Sequence, residues 1–175
     1  MADLAKIRFL VCDVDGVLTD GRIILDSSGV ETKAFHVRDG SGLKYWLRAG
    51  HRAALLSGRA SPVVDRRAAE LGITLVEQGA KDKLPAFERL LKAAGCAADE
   101  TAFVGDDLPD LPVLRRAGFG VAVADAVAEL RSAAAYTTQA RGGRGAVREV
   151  VELLLKAQGK WAAVLERYRA ETGRL

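Results

Sequence analysis

Two aspartates one residue apart, Asp13 and Asp15, follow directly on the apolar run of residues 7–12. In an extended chain, residues i and i+2 face the same side. Both carboxylates therefore project together from the carboxyl end of a strand, the edge at which open α/β sheets bind ligands. Like charges side by side in an apolar fold are costly unless they share a cation or a proton. Gly16 and Gly21 let the chain turn sharply away from the pair. The pattern points to a metal-assisted carboxylate site in preference to a solvated acidic turn. Three more polar groups could serve it: Ser57 after a second apolar run, Lys83 near a helix start, and Asp106-Asp107 after another strand.

The elements that would position these groups read in order along the chain. Residues 7–12, with apolar residues on both faces, suit a strand inside a parallel sheet. Residues 22–25 and 31–37 read as two short strands around the turn signal Asp26-Ser27-Ser28-Gly29, predicting a projecting β-hairpin. A short helix over 41–49 follows, stopped by Gly50. Further strands are expected at 52–56, 73–76, 101–104 and 120–123, with a short sixth at 136–138. Ser61 and Pro62 open a helix that Gly72 closes, and helices follow over 81–94, to Ala117, and over 126–134, 146–158 and 160–172. Alternating strands and helices with short connections predict an α/β, doubly wound, Rossmann-like parallel sheet forming one domain over residues 1–175. Four polar clusters then converge on one sheet edge, which argues for an enzyme.

Composition sets the outer bounds. The 175 residues suffice for one real core, and 49% hydrophobic with 28% charged residues is ordinary for a globular protein. The net charge of +3 is spread in small clusters, which suits small anionic substrates and does not call for nucleic acid. Arg141-Gly142-Gly143-Arg144 occurs once and reads as a turn, not an RNA-binding tract. No signal peptide or membrane span is expected. Cys12 and Cys96 lack metal-site spacing and read as reduced thiols, in keeping with a cytoplasmic location.

Taken together, Asp13-Val14-Asp15-Gly16-Val17, Ser57, Lys83 and Gly105-Asp106-Asp107 resemble the four ordered motifs of the haloacid dehalogenase superfamily of phosphotransferases. The resemblance implies a magnesium ion held by Asp13, Asp106 and the backbone carbonyl of Asp15. The chemistry of the residues agrees. Asp13 is placed to attack phosphorus, and Asp15 to protonate the leaving oxygen and later deprotonate water. Ser57 would bond a phosphoryl oxygen, and Lys83 would offset charge and orient Asp13. Asp107 and Asp110 read as helix-start residues favoured by the dipole, with Asp107 also a candidate outer residue of the site. Phospho-acceptor signalling domains lack an acid at the Asp15 position, so Asp15 argues for rapid breakdown of a phosphoaspartate.

Family members commonly close the site with an inserted cap. Residues 16–56 hold only a hairpin and a short helix, and residues 78–80 a tight connection, so the chain is predicted to be capless. A neighbouring subunit would then cover the site. The apolar hairpin 22–37 is expected to pair between subunits in a homotetramer. Residues 34–40, Ser57-Gly58-Arg59, Arg67 and residues 142–149 resemble the 3-deoxy-D-manno-octulosonate 8-phosphate phosphatases. That resemblance implies a sugar acid phosphate bound by Asp15, His36, Val37, Arg38, Asp39, Gly40, Lys44, Arg59, Arg67 and Lys83. The family usually has Asn where His36 stands and often Arg at Lys44. Two alternatives stand beside this reading: a nine-carbon sugar acid 9-phosphate phosphatase, disfavoured by Arg59, and a non-catalytic oligomerisation module. The tail 160–175 reads as an amphipathic interface helix.

Overall fold

A computed structural model of the protein describes residues 3–170. Six parallel strands form the central sheet: β1 Phe9–Cys12, β4 Arg52–Leu56, β5 Leu75–Glu77, β6 Thr101–Gly105, β7 Phe119–Ala122 and β8 Tyr136–Thr137. Their order is β5-β4-β1-β6-β7-β8, the doubly wound arrangement in which the chain reverses direction of growth beside β1. Phe9, Leu10, Val11 and Cys12 are all fully buried, as a central strand covered on both faces must be. Burial pushes the Cys12 thiol up, beyond the range of a reactive thiolate.

Helices α1 Val37–Arg48, α2 Pro62–Leu71 and α6 Ala146–Ala157 pack as one layer, and α3 Lys83–Ala94, α4 Leu111–Arg116 and α5 Ala128–Ala133 as another. In α6 the spacing of Val147, Val150, Val151, Leu154 and Leu155 puts five apolar side chains on one face, and all are fully buried. Each such burial stabilises by about 1.5–3 kcal/mol. α7, Trp161–Ala170, lies on α6 and α1, with Tyr45 edge-on to Trp161 at 6.1 Å and to Tyr168 at 5.9 Å. Part of the tail's aromatic face is thus covered within the chain; residues 171–175 lie outside those described.

Two local expectations are corrected. The hairpin pairs only two residues per strand, β2 Ile24–Leu25 with β3 Glu31–Thr32, not 22–25 with 31–37. The following helix starts at Val37, four residues earlier than expected, with the His36 ring accepting from the Arg38 amide at 3.3 Å. Gly40 and Gly42 look like helix breakers, yet they sit inside α1 because neighbours crowd them. A Cβ on Gly40 would lie 2.2 Å from the Arg67 guanidinium, and one on Gly42 3.0 Å from the Arg148 Cα. Among the described residues no further element is inserted as a cap, and no helix is long and apolar enough to cross a membrane.

Candidate active site

Strand register assembles the site. Cys12 lies level with Leu55 of β4 and Val104 of β6. Asp13 is thus level with Leu56 and Gly105, the last residues of their strands, and Ser57 and Asp106 follow one residue beyond, so all three side chains leave the same sheet edge. The Asp13 amide donates to the Val104 carbonyl at 3.0 Å, and the Ser57 amide to the Glu77 carbonyl at 2.8 Å. Both residues are held by sheet-like bonds past the nominal strand ends. The resulting pocket, of about 520 Å³, is lined by Asp13, Asp15, Ser57, Arg59, Lys83 and Asp106 among others.

Lys83, the first residue of α3, reaches into the acidic cluster. Its ammonium lies 2.9 Å from Asp13 and 2.6 Å from Asp110. Burial alone would lower its pKa, but Asp13 and Asp110 outweigh that and raise it. Asp110 is a helix-start residue, as its sequence position suggests, and closes a capping box with Asp107, but it does more. It is fully buried, gives one oxygen to Lys83, and accepts from the Asp106 and Asp107 amides at 2.9 and 3.3 Å. It thus fixes both Lys83 and the loop that carries Asp106. Only its position, three residues after Asp107, hinted at this role.

Carboxylate oxygens of Asp13, Asp106 and Asp110 lie within 4.8 Å of one another, with one lysine among them. Burial, then the Asp110 charge, push the Asp13 carboxyl up to about 6. Burial and the charges of Asp13 and Asp110 push Asp106 up to about 8. Negative charge therefore exceeds what Lys83 offsets. The donors are all oxygen and hard, which suits magnesium. Gly16 makes room for this arrangement: its φ is +92°, and a Cβ there would lie 2.0 Å from Asp106 Oδ2.

The loop after β8 buttresses the segment that follows Asp15. The Gly143 amide donates to the Val17 carbonyl at 2.8 Å, and the Gly142 amide to Asp125 at 2.9 Å. The Arg141–Arg144 stretch is a turn, as its sequence suggests, and its glycines let it lie directly on the catalytic loop.

The predicted substrate residues separate into two groups. Asp15, Arg59 and Lys83 line the pocket. His36, Val37, Arg38, Asp39, Gly40, Lys44 and Arg67 do not line it in this chain. Asp39 is buried and caps α6, accepting from the Gly145 and Arg148 amides at 3.1 and 2.9 Å. Gly40 abuts Arg67, whose guanidinium lies over Phe35 and bonds Glu70 at 2.8 Å. Val37 is exposed, and Arg38 borders a separate depression with Arg144 and Arg148. Sequence reasoning missed Lys33, which is buried and bonds Asp15 Oδ1. A lysine at a hairpin end carries no signal of such a long-range contact.

Comparison with known proteins agrees with this geometry. A profile of the haloacid dehalogenase-like hydrolase family matches residues 75–150. The chain is 50% identical over 160 residues to 3-deoxy-D-manno-octulosonate 8-phosphate phosphatase KdsC of Escherichia coli, covering 91% of this chain and 85% of that one. It is similar to the crystal structure of the Moraxella catarrhalis phosphatase in complex with magnesium ion, phosphate ion and KDO. That match has a TM-score of 0.92 and 46% identity, and covers 95% of each chain. The cobalt-bound Haemophilus influenzae phosphatase gives a TM-score of 0.88 at 46% identity, covering 90% of this chain and 92% of that one. With half its residues shared over nearly its whole length and the carboxylate pocket intact, this chain belongs to the 3-deoxy-D-manno-octulosonate 8-phosphate phosphatase family of the haloacid dehalogenase-like hydrolases.

Proposed function

We propose that the protein hydrolyses 3-deoxy-D-manno-octulosonate 8-phosphate to the free sugar acid and phosphate, as a cytoplasmic step in lipopolysaccharide precursor synthesis. The observation that carries the reading is the convergence of Asp13, Asp15, Ser57, Lys83 and Asp106 on one pocket, in a chain so similar to named phosphatases. Those names favour the eight-carbon acid over the nine-carbon alternative, and an assembled pocket speaks against a purely structural module. The chain is read as one catalytic domain over residues 1–175, with hairpin and tail as its appendages.

Asp13 and Asp106 carboxylates and the Asp15 carbonyl would hold magnesium. When bound, it supplies positive charge that offsets the repulsion between phosphate and carboxylate. In the first step an Asp13 oxygen bonds phosphorus as the P–O bond to the sugar breaks. Asp15 gives its proton to the departing oxygen. In the second step Asp15 takes a proton from water, whose oxygen bonds phosphorus as the Asp13–phosphorus bond breaks. Lys83 orients Asp13 and neutralises charge, and Ser57 donates to a phosphoryl oxygen. Arg59 presents a fork suited to the sugar acid's carboxylate.

His36, Arg38, Lys44 and Arg67 stand outside this pocket, and the open site lacks a cover. Ile23, Leu25, Val30 and Val37 are each 58% or more exposed, an apolar surface beyond what a short hairpin needs. A homotetramer in which a neighbouring subunit closes the site accounts for both. Light scattering tests this: a tetramer is expected, and a fully active monomer would refute it. For the chemistry, Asp13→Asn should fold normally and release no phosphate with magnesium. Near wild-type release from that variant would end the assignment.

A further inference from the structure

Lys33 has no role in the chemistry above, yet its side chain is 1% exposed. A buried ammonium is costly unless fully compensated, so its partners define its purpose. Its Nζ bonds Asp15 Oδ1, the group assigned to proton transfer, and lies 3.5 Å from Glu31 Oε1. The same Glu31 oxygen accepts from Arg59 Nη2 at 2.7 Å. Four groups of alternating sign thus run from Asp15 through Lys33 and Glu31 to Arg59. The second Asp15 oxygen is buried and has no hydrogen-bond partner. Among the described residues Lys33 is therefore the only side chain that bonds this carboxylate, and it sets the carboxylate's orientation.

We propose that Lys33 is a positioning residue that holds the Asp15 carboxylate for proton transfer and, through Glu31, ties it to Arg59. The hairpin then has a catalytic purpose besides any contact with a second subunit. Glu31 and Lys33 sit on and just after β3, so folding of this short segment sets the proton donor. A carboxylate arriving at Arg59 competes with Glu31, which leaves Glu31 free to draw on Lys33. Binding of the correct substrate and the orientation of the Asp15 carboxylate are coupled by this path. This inference rests on the phosphatase reading, and the two can fail separately.

The test exploits leaving groups. A sugar hydroxyl departs only with a proton, whereas 4-nitrophenolate departs without one. Rapid-quench measurement of the first turnover follows alcohol release from 3-deoxy-D-manno-octulosonate 8-phosphate and from 4-nitrophenyl phosphate. A positioned general acid contributes about 100-fold or more. Lys33→Met should slow the sugar phosphate about 100-fold and the aryl phosphate only a few-fold, and Lys33→Arg should restore most of the difference. Equal losses on both substrates, or no loss on either, would overturn the proposal. If Lys33→Met does not fold, Lys33→Gln, a neutral donor of similar size, carries the test. It should shift the same ratio in the same direction, and an unchanged ratio in the folded variant would overturn the proposal as well. The wild-type protein separates the readings: failure to turn over the sugar phosphate at all would count against the proposed function.

Discussion

Gly142→Ala probes the support of the catalytic loop. A Cβ at Gly142 would lie 1.7 Å from the Gly16 carbonyl oxygen and 2.6 Å from its carbon. Both are backbone atoms, so no side chain can swing aside. Moving from 1.7 Å to the 3.0 Å that a carbon needs requires a retreat of about 1.3 Å by one of the two loops. If the Gly142 loop withdraws, it strains the 2.8 Å bond from Gly143 to Val17. If the Gly16 loop withdraws, the adjacent Asp15 carbonyl moves, as does the seat of Asp106 over Gly16. A displacement of about 1 Å in a positioned site costs about 100-fold in rate, and overpacking costs about 1–3 kcal/mol in stability. Steady-state phosphate release, a magnesium titration and a thermal melt would read both. The expected result is a fall in kcat of about 100-fold with weaker magnesium dependence. Gly159→Ala is the control: its φ is +68° but nothing lies within 4 Å. It should cost about 1–2 kcal/mol of backbone strain with kcat unchanged. A Gly142→Ala protein with wild-type kcat and magnesium dependence would refute the reasoning.

Asp110→Asn leaves Lys83 with half its compensation and turns an amide's donors toward the Asp106 and Asp107 amides. It should lose about 3 kcal/mol in a urea melt and most of its turnover. Asp39→Ala removes the cap of α6 and should cost about 1–2 kcal/mol; a melting temperature equal to wild type would show the cap to be idle. In chelator, thermal stability should fall as pH rises from about 5 to 8. Asp13 and Asp106 are raised in the fold, to about 6 and about 8. Over that window the folded state binds more protons than the unfolded one, so their contribution diminishes with rising pH. Saturating magnesium should flatten the slope, and an identical slope with and without the ion would contradict the cluster's assignment.

What the sequence revealed was whatever depends on local pattern. The run into Asp13 and Asp15 announced a central strand and its edge, and the strand ends at Ser57 and Asp106 followed from alternation alone. Parallel pairing then brings those ends to one sheet edge, Ser57 and Asp106 one residue beyond the level of Asp13. The start of α1 was hidden because Gly40 and Gly42 are explained by Arg67 and Arg148, residues distant in sequence that crowd them. Lys33 and Asp110 were hidden for the same reason: each is defined by a buried partner on another element. Asp39 is named as a substrate residue by resemblance alone; the inward turn of its side chain to cap α6 depends on a partner more than 100 residues away and had no local signal.

The central claim is most directly tested by phosphate release with magnesium across a small panel. The panel holds 3-deoxy-D-manno-octulosonate 8-phosphate, two nine-carbon sugar acid 9-phosphates, a hexose 6-phosphate and an aryl phosphate. The account predicts a kcat/KM for the eight-carbon acid well above every other member, lost in Asp13→Asn. Weak and even activity across the panel, or activity that survives Asp13→Asn, would contradict it.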